Sequence, residues 1–234
     1  MGHCLTAQLI FSMLAREAQT KTDFQLFETM LVTRNAQVRH VERHLARLQH
    51  SAMTLGFVFN DAKILGELDA GVARATPDID SRLRLTLFHD GHVDVTSAPL
   101  TPLPDGRVDL LVEEKPLSES RPLSAHKTTR REEYDQGTRR AEAHGAFDCL
   151  FFTNNGRLVE GGRCNIFVQI DGRWWTPPLS DGALPGIMRA LLLEDPAWGA
   201  GERSLRLADL HRAQSLTVCN ALRGALPGRI ASDP

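Results

Sequence analysis

Ser124-Ala125-His126-Lys127-Thr128-Thr129-Arg130-Arg131-Glu132-Glu133-Tyr134 divides the chain into two differently patterned parts. It follows a segment punctuated by proline and serine, Lys115-Pro116-Leu117-Ser118-Glu119-Ser120-Arg121-Pro122-Leu123. It leads into a helical pattern over Glu132–His144 that Gly145 stops. Lysine is scarce in this arginine-rich sequence, and Lys21, Lys63, Lys115 and Lys127 are all there are. On spacing alone Lys127 is a solvated lysine at a helix start. Such a side chain turns reactive only where burial and neighbouring charges free its amine.

Before this stretch, Phe24–Val32 alternates in part and is rich in strand formers, with a turn at Arg34-Asn35. From Arg39 the period becomes helical. Val41, Leu45, Leu48, Ala52 and Leu55 form one apolar stripe that ends at Gly56. His44, Arg47 and Ser51 lie on the flank of that stripe, where a side chain can reach a cleft beside the core, while Arg43 points toward solvent. A second helix is expected over Asp61–Ala75. Arg82–Phe88 then reads as a strand, His89-Asp90-Gly91 as a turn and His92–Val95 as the partner strand. Leu83, Leu85 and Leu87 share one face; Arg82, Arg84 and Thr86 share the other. With a further strand at Val108–Val112, residues 1–115 read as an N-terminal α/β domain. Residues 1–23 are its weakly patterned tail, including a short amphipathic helix over Leu5–Ala18. Residues 116–124 read as an interdomain linker.

The second part, residues 125–234, repeats strand, turn and strand. Asp148–Thr153 turns at Asn154-Asn155-Gly156 into Arg157–Glu160, and Gly161-Gly162 breaks the run before Cys164–Ile170. That strand turns at Asp171-Gly172 into Trp174-Trp175-Thr176, so an antiparallel meander is expected. Leu184-Pro185-Gly186-Ile187-Met188-Arg189 puts a glycine at the mouth of an apolar helix. The free backbone N–H groups and partial positive charge there suit a phosphate. A short helix over Ala208–Ala213, a buried strand over Ser215–Cys219 and a loop over Asn220–Gly224 follow. Strand-rich segments interleaved with a few helices give an α+β class in two parts.

Composition narrows the partners. Hydrophobic residues make up 42% and charged residues 24%, the profile of an ordinary globular protein. A formal net charge of -2 offers no basic field for nucleic acid or an anionic membrane. Cys4, Cys149, Cys164 and Cys219 have no paired spacing, so neither a disulfide frame nor a metal site is expected. No apolar run reaches transmembrane length and Met1–Gln19 lacks a signal-peptide pattern, so a cytoplasmic location is expected.

Together these stretches resemble the fold-type IV pyridoxal-phosphate enzymes, which include branched-chain and D-amino acid aminotransferases and aminodeoxychorismate lyase. The resemblance runs from about Phe24 to Gly224. It is carried in order by Phe27-Glu28-Thr29, His44-Leu45-Ala46-Arg47-Leu48, Lys127 with Tyr134, Glu160 before Asn165-Ile166-Phe167, Thr176-Pro177-Pro178 and Leu184-Pro185-Gly186-Ile187-Met188-Arg189. It implies a small α/β sandwich, a larger C-terminal β-rich domain, and pyridoxal 5'-phosphate at their interface. It also implies a homodimer.

The resemblance makes Lys127 the Schiff-base lysine. Arg47 and the backbone N–H groups of Ile187 and Met188 would hold the cofactor phosphate, with Asn220 in the loop closing that end. Glu160 would face the pyridine nitrogen and Asn165 would line the same site. Tyr134 resembles the tyrosine near the 3-hydroxyl, although it lies two residues further from the lysine than in branched-chain enzymes. Arg84, with Arg223, would meet substrate carboxylates.

Within the family the likeness is closest to aminodeoxychorismate lyase, particularly the lyase part of fused synthase–lyase proteins. It rests on Phe27–Leu31, His126–Tyr134, Thr176-Pro177-Pro178-Leu179-Ser180 and Asn220–Gly224. The implied reaction releases pyruvate and 4-aminobenzoate, the folate precursor, from aminodeoxychorismate supplied by a synthase. The alternative is a class IV amino acid aminotransferase, whose first steps are the same. A relic without turnover is disfavoured by the presence of Lys127, Arg47 and Glu160 together.

Overall fold

Alternating apolar rows build two sheets that meet at a cleft. The computed structural model describes residues 24–103, 106–119 and 121–231, so the helix expected over Leu5–Ala18 lies outside the described residues. Strands β1 (Leu26–Val32), β2 (Ser81–Leu87) and β3 (Val93–Pro99) form an antiparallel sheet in that order. Helices α1 (Val41–Leu55) and α2 (Asp61–Ala73) cover one face of it, burying Leu48, Ala52, Ile64 and Leu68 against Leu26, Met30, Leu83 and Leu85. Gly56 stops α1 in the left-handed conformation at φ 77°. Asn60 starts α2 by accepting the Lys63 N–H on its side chain. The opposite face of β2 carries Arg82, Arg84 and Thr86, as the alternation requires.

The second sheet has eight strands. Its elements are β4 (Val108–Val112), α3 (Glu132–Ala143), β5 (Asp148–Phe152), β6 (Leu158–Gly161), β7 (Asn165–Ile170), β8 (Arg173–Thr176), α4 (Ile187–Glu194), β9 (Gly201–Glu202), α5 (Leu207–His211), β10 (Ser215–Asn220) and β11 (Gly224–Ile230). The strand order is β6-β5-β4-β11-β10-β7-β8-β9. Two expectations change here. Val108–Val112, read with the first sheet, lies instead between β5 and β11 and is parallel to both. A short apolar run marks a buried strand but does not name its neighbours. The path from β4 through α3 to β5 is the crossover that a parallel pair needs. The expected meander is also interrupted. The β5–β6 and β7–β8 hairpins stand apart, with β4, β11 and β10 between them. Strand β11, for which the sequence offers no clear pattern, takes a central place although Pro227 and Gly228 interrupt it; only Gly228–Ile230 pair with β4.

Lys127 belongs by sequence to the second part, yet its backbone is joined to the first sheet. The Phe27 N–H donates to Lys127 O at 3.0 Å and the Thr129 N–H to Gln25 O at 2.9 Å. The Gln25 N–H donates in return to Thr129 Oγ1 at 2.9 Å. Leu117, in the stretch read as a linker, is buried against Ala141, Cys149 and Phe151. Among the described residues no helix is long and apolar enough to cross a membrane.

Candidate active site

The cleft between the sheets encloses about 930 Å³ and is lined by Phe27, Arg47 and Arg84 from the first part and Lys127, Glu160 and Gly186 from the second. It therefore gathers residues that lie far apart in sequence. The Lys127 Nζ sits 4.5 Å from the centre of the Phe27 ring. Burial lowers its pKa, the Arg131 and Arg47 charges lower it further, and Glu28 and Glu160 only partly oppose them. The value falls from 10.5 to about 7. A substantial share of the amine is thus unprotonated at neutral pH.

Glu160, at the end of β6, is buried and held by three donors. Its Oε1 accepts the Tyr134 hydroxyl at 3.0 Å. Its Oε2 accepts Asn165 Nδ2 at 3.1 Å and the Leu184 N–H at 3.1 Å. Burial dominates and raises its pKa to about 7, although the Leu184 and Tyr134 hydrogen bonds pull the other way. The Tyr134 hydroxyl, itself pushed well above its usual range by burial and by Glu160, accepts from Arg121 Nη1 at 3.1 Å. Tyr134 is therefore engaged with the carboxylate. Asn165 stands behind Glu160 and also donates to Leu184 O at 3.0 Å. A Cβ at Gly186 would lie 1.9 Å from Asn165 Oδ1, so only glycine lets the start of α4 approach this asparagine.

At that start the Ile187 and Met188 N–H groups have no partner within the helix, as in any α-helix, and no side chain caps them. Ile187 lines the cleft with Gly186, whereas Met188 is not among its lining residues and can offer only its backbone. Arg47 reaches the same end from α1, its Nη1 donating to Pro185 O at 3.0 Å. Its Nε and Nη2 donate to Glu28 at 2.8 Å and 2.6 Å. Arg47, on the flank of the α1 stripe, lines the cleft, and Arg43 lies outside it. Arg43 is exposed and pairs with Glu194 at 2.7 Å.

The remaining wall is cationic. The Arg84 guanidinium lies 3.9 Å from the Phe27 ring centre and makes no hydrogen bond or ion pair with the described residues. Burial, then Arg131 and Arg82, lower its pKa. Arg131 is fixed by Asp135 at 2.9 Å and by the Gly162 carbonyl, with its guanidinium 6.0 Å from Phe27 and 5.6 Å from Tyr134. Arg223 also lines the cleft. Asn220 folds its loop: Oδ1 accepts the Arg223 N–H at 2.8 Å and Nδ2 donates to Cys164 Sγ at 3.1 Å.

Sequence reasoning missed Glu28 and Arg131 as site residues. Glu28 carried a signal, a carboxylate in an otherwise apolar row of β1. Arg131 carried none, since arginine is common in this chain and its neighbours come from other elements. A free amine, a buried acid and a guanidinium beside an open helix start fit an aldehyde, a ring nitrogen and a phosphate respectively, the three groups of pyridoxal phosphate.

The model of the amino-transferase class IV family matches residues 25–230. The chain is 28% identical over 214 residues to the "Putative aminodeoxychorismate lyase" of Schizosaccharomyces pombe, covering 89% of this chain and 90% of that protein. Among solved structures it superposes on the "Putative amino-acid aminotransferase" of Mesorhizobium loti with a TM-score of 0.82 and 33% identity, over 89% of this chain and 100% of that one. A "Putative 4-amino-4-deoxychorismate lyase" structure gives a TM-score of 0.77 and 25% identity, over 89% of this chain and 85% of that one.

Proposed function

Because the chain belongs to the class IV aminotransferase family, whose enzymes work with pyridoxal phosphate, we propose that it is a 4-amino-4-deoxychorismate lyase. The observation that supports this reading is the cationic wall beside Lys127. Arg84 makes no ion pair with the described residues and stands near Arg131, an arrangement suited to a substrate with two carboxylates. The relative from Schizosaccharomyces pombe points the same way.

When bound, pyridoxal phosphate supplies an aldehyde that captures amines and a ring that withdraws electrons. Arg47 and the Ile187 and Met188 N–H groups would hold its phosphate, Glu160 would face the ring nitrogen, and Lys127 would present its amine to the aldehyde. Tyr134, Asn165 and Leu184 keep Glu160 in place. With the substrate's 4-amino group held at the aldehyde, the Lys127 amine would be placed to take the proton from the carbon bearing the substrate nitrogen. The C–H electrons form the last ring double bond. The C–O electrons leave with the enolpyruvyl group, which takes up a proton to become pyruvate. The products are pyruvate and 4-aminobenzoate, and neither water nor an oxidant is consumed. The same reading has the enzyme acting as a cytoplasmic homodimer, supplied with substrate by an aminodeoxychorismate synthase.

An amino acid aminotransferase is the second reading, favoured by the 33% identity to the Mesorhizobium loti protein. Incubating the holoenzyme with aminodeoxychorismate and no keto acid separates the two. Equal amounts of pyruvate and 4-aminobenzoate support the lyase. Conversion of the cofactor to its amine form by common amino acids, without 4-aminobenzoate, supports the aminotransferase. Arg84→Leu should raise KM for aminodeoxychorismate about 10- to 100-fold with a smaller change in kcat, the loss expected when a charged hydrogen-bonding partner is removed. An unchanged KM would take Arg84 out of the substrate site.

A further inference from the structure

Leu26, Glu28, Met30 and Val32 project from β1 to one face, and all but Glu28 are apolar members of the first core. Glu28 is 1% exposed. An ionised carboxylate in such a row carries a heavy desolvation cost, and a leucine would complete the packing. Both Glu28 oxygens are instead committed to α1. Oε1 accepts Arg47 Nε at 2.8 Å, and Oε2 accepts Arg47 Nη2 at 2.6 Å and lies 2.7 Å from His44 Nδ1. Burial pushes the Glu28 pKa up, but the Arg47 charge and the His44 and Arg47 hydrogen bonds outweigh it and hold it at about 2. The carboxylate is therefore ionised throughout the working range.

This grip decides what Arg47 presents to the cleft. A guanidinium is a planar fork on a flexible stem. With its Nε edge fixed by Glu28, Nη1 is aimed at Pro185 O, immediately before the Gly186 cap of α4. We propose that Glu28 is a positioning residue for the cofactor phosphate, orienting Arg47 so that its outer edge and the Ile187 and Met188 N–H groups converge on one anion. Two effects of Glu28 oppose each other, since its charge also offsets that of Arg47. A site selected only for positive charge would have no acid here. Orientation is what a bidentate carboxylate adds.

The proposal rests on the cofactor placement given above, and the test keeps the two apart. Dissociation constants of pyridoxal phosphate and of pyridoxal, which lacks the phosphate, are measured by absorbance titration for the wild type, Glu28→Gln, Glu28→Leu, Arg47→Gln and the double variant Glu28→Gln/Arg47→Gln. Pyridoxal phosphate should bind both Glu28 variants about tenfold more weakly while pyridoxal is unaffected; such a loss is about 1.4 kcal/mol. The double variant should be no weaker than Arg47→Gln, because the two residues act as one unit. Glu28→Leu fills the core, so weaker cofactor binding at an undiminished melting temperature cannot be assigned to unfolding. Unchanged or tighter pyridoxal phosphate binding, or an equal loss for pyridoxal, overturns the role of Glu28 alone. Failure of borohydride to fix the cofactor on Lys127 of the wild type overturns the cofactor placement and this proposal with it.

Discussion

Lys127→Met should leave a cofactor-free protein that is more stable than the wild type at pH 7 and has no turnover. The lysine's pKa falls from 10.5 to about 7 because burial and the Arg131 and Arg47 charges oppose its protonation. The folded state therefore disfavours a proton that the unfolded chain keeps. Above about pH 10.5 both states are neutral and the residue costs nothing. As pH falls from there toward 7 the cost grows, and below 7 it is fully present. The shift corresponds to at most about 5 kcal/mol, and about 2–4 kcal/mol is expected once partial exposure and relaxation are allowed for. Urea denaturation of both proteins without cofactor at pH 7 and pH 9.5 provides the measurement. The advantage of the methionine variant should shrink at the higher pH. A variant less stable at pH 7, or an advantage indifferent to pH, would show that Lys127 is not held as a strained base. Active-site residues often lower stability in this way.

Glu160→Gln should bind the cofactor normally and lose about 10²–10³ in kcat, the range seen when a preorganised electrostatic group is removed. Glutamine keeps the local architecture. Its carbonyl can accept from Asn165 and Leu184 while its amide donates to the Tyr134 hydroxyl, which can turn to accept. What disappears is the negative charge that we propose faces the ring nitrogen. Stability gives an independent reading. Burial raises the Glu160 pKa to about 7, so the folded state favours the acid. The wild type without cofactor should lose stability relative to Glu160→Gln as pH rises from about 4.5 to 7, and the gap should stay constant above that. A wild type that instead gained on the variant over this interval would contradict the environment described for Glu160. A kcat within a factor of about three of wild type would remove the charge from the mechanism.

Much of this site is legible in the sequence, and the reasons differ by residue. Arg47 lines the cleft because helical periodicity separates the flank of a stripe from its back, and Arg43 is exposed by the same logic. Gly186 was found because a glycine before an apolar helix marks a free N-terminus. Lys127 could not be separated from a surface lysine by spacing; it stood out only through resemblance to a family and through the groups assembled around it. Glu28 was visible as a motif member but not as the partner of Arg47, since that contact joins β1 to α1 through space. The strand pattern identified β4 and both hairpins yet misjudged their neighbours. Alternation tells which face of a strand is buried, whereas the order of strands in a sheet depends on pairings between distant segments. Pro227 concealed β11 for the opposite reason: its local signal is that of an edge or a turn, and the sheet accommodates it by starting the β4 pairing one residue later.

The stitching of Gln25 and Phe27 to Thr129 and Lys127 has a mechanical consequence. These hydrogen bonds tie the Lys127 backbone to the start of β1, where Phe24 and Leu26 are members of the first core. A displacement of β1 would therefore reach Lys127 through these bonds and Arg47 through Glu28 together.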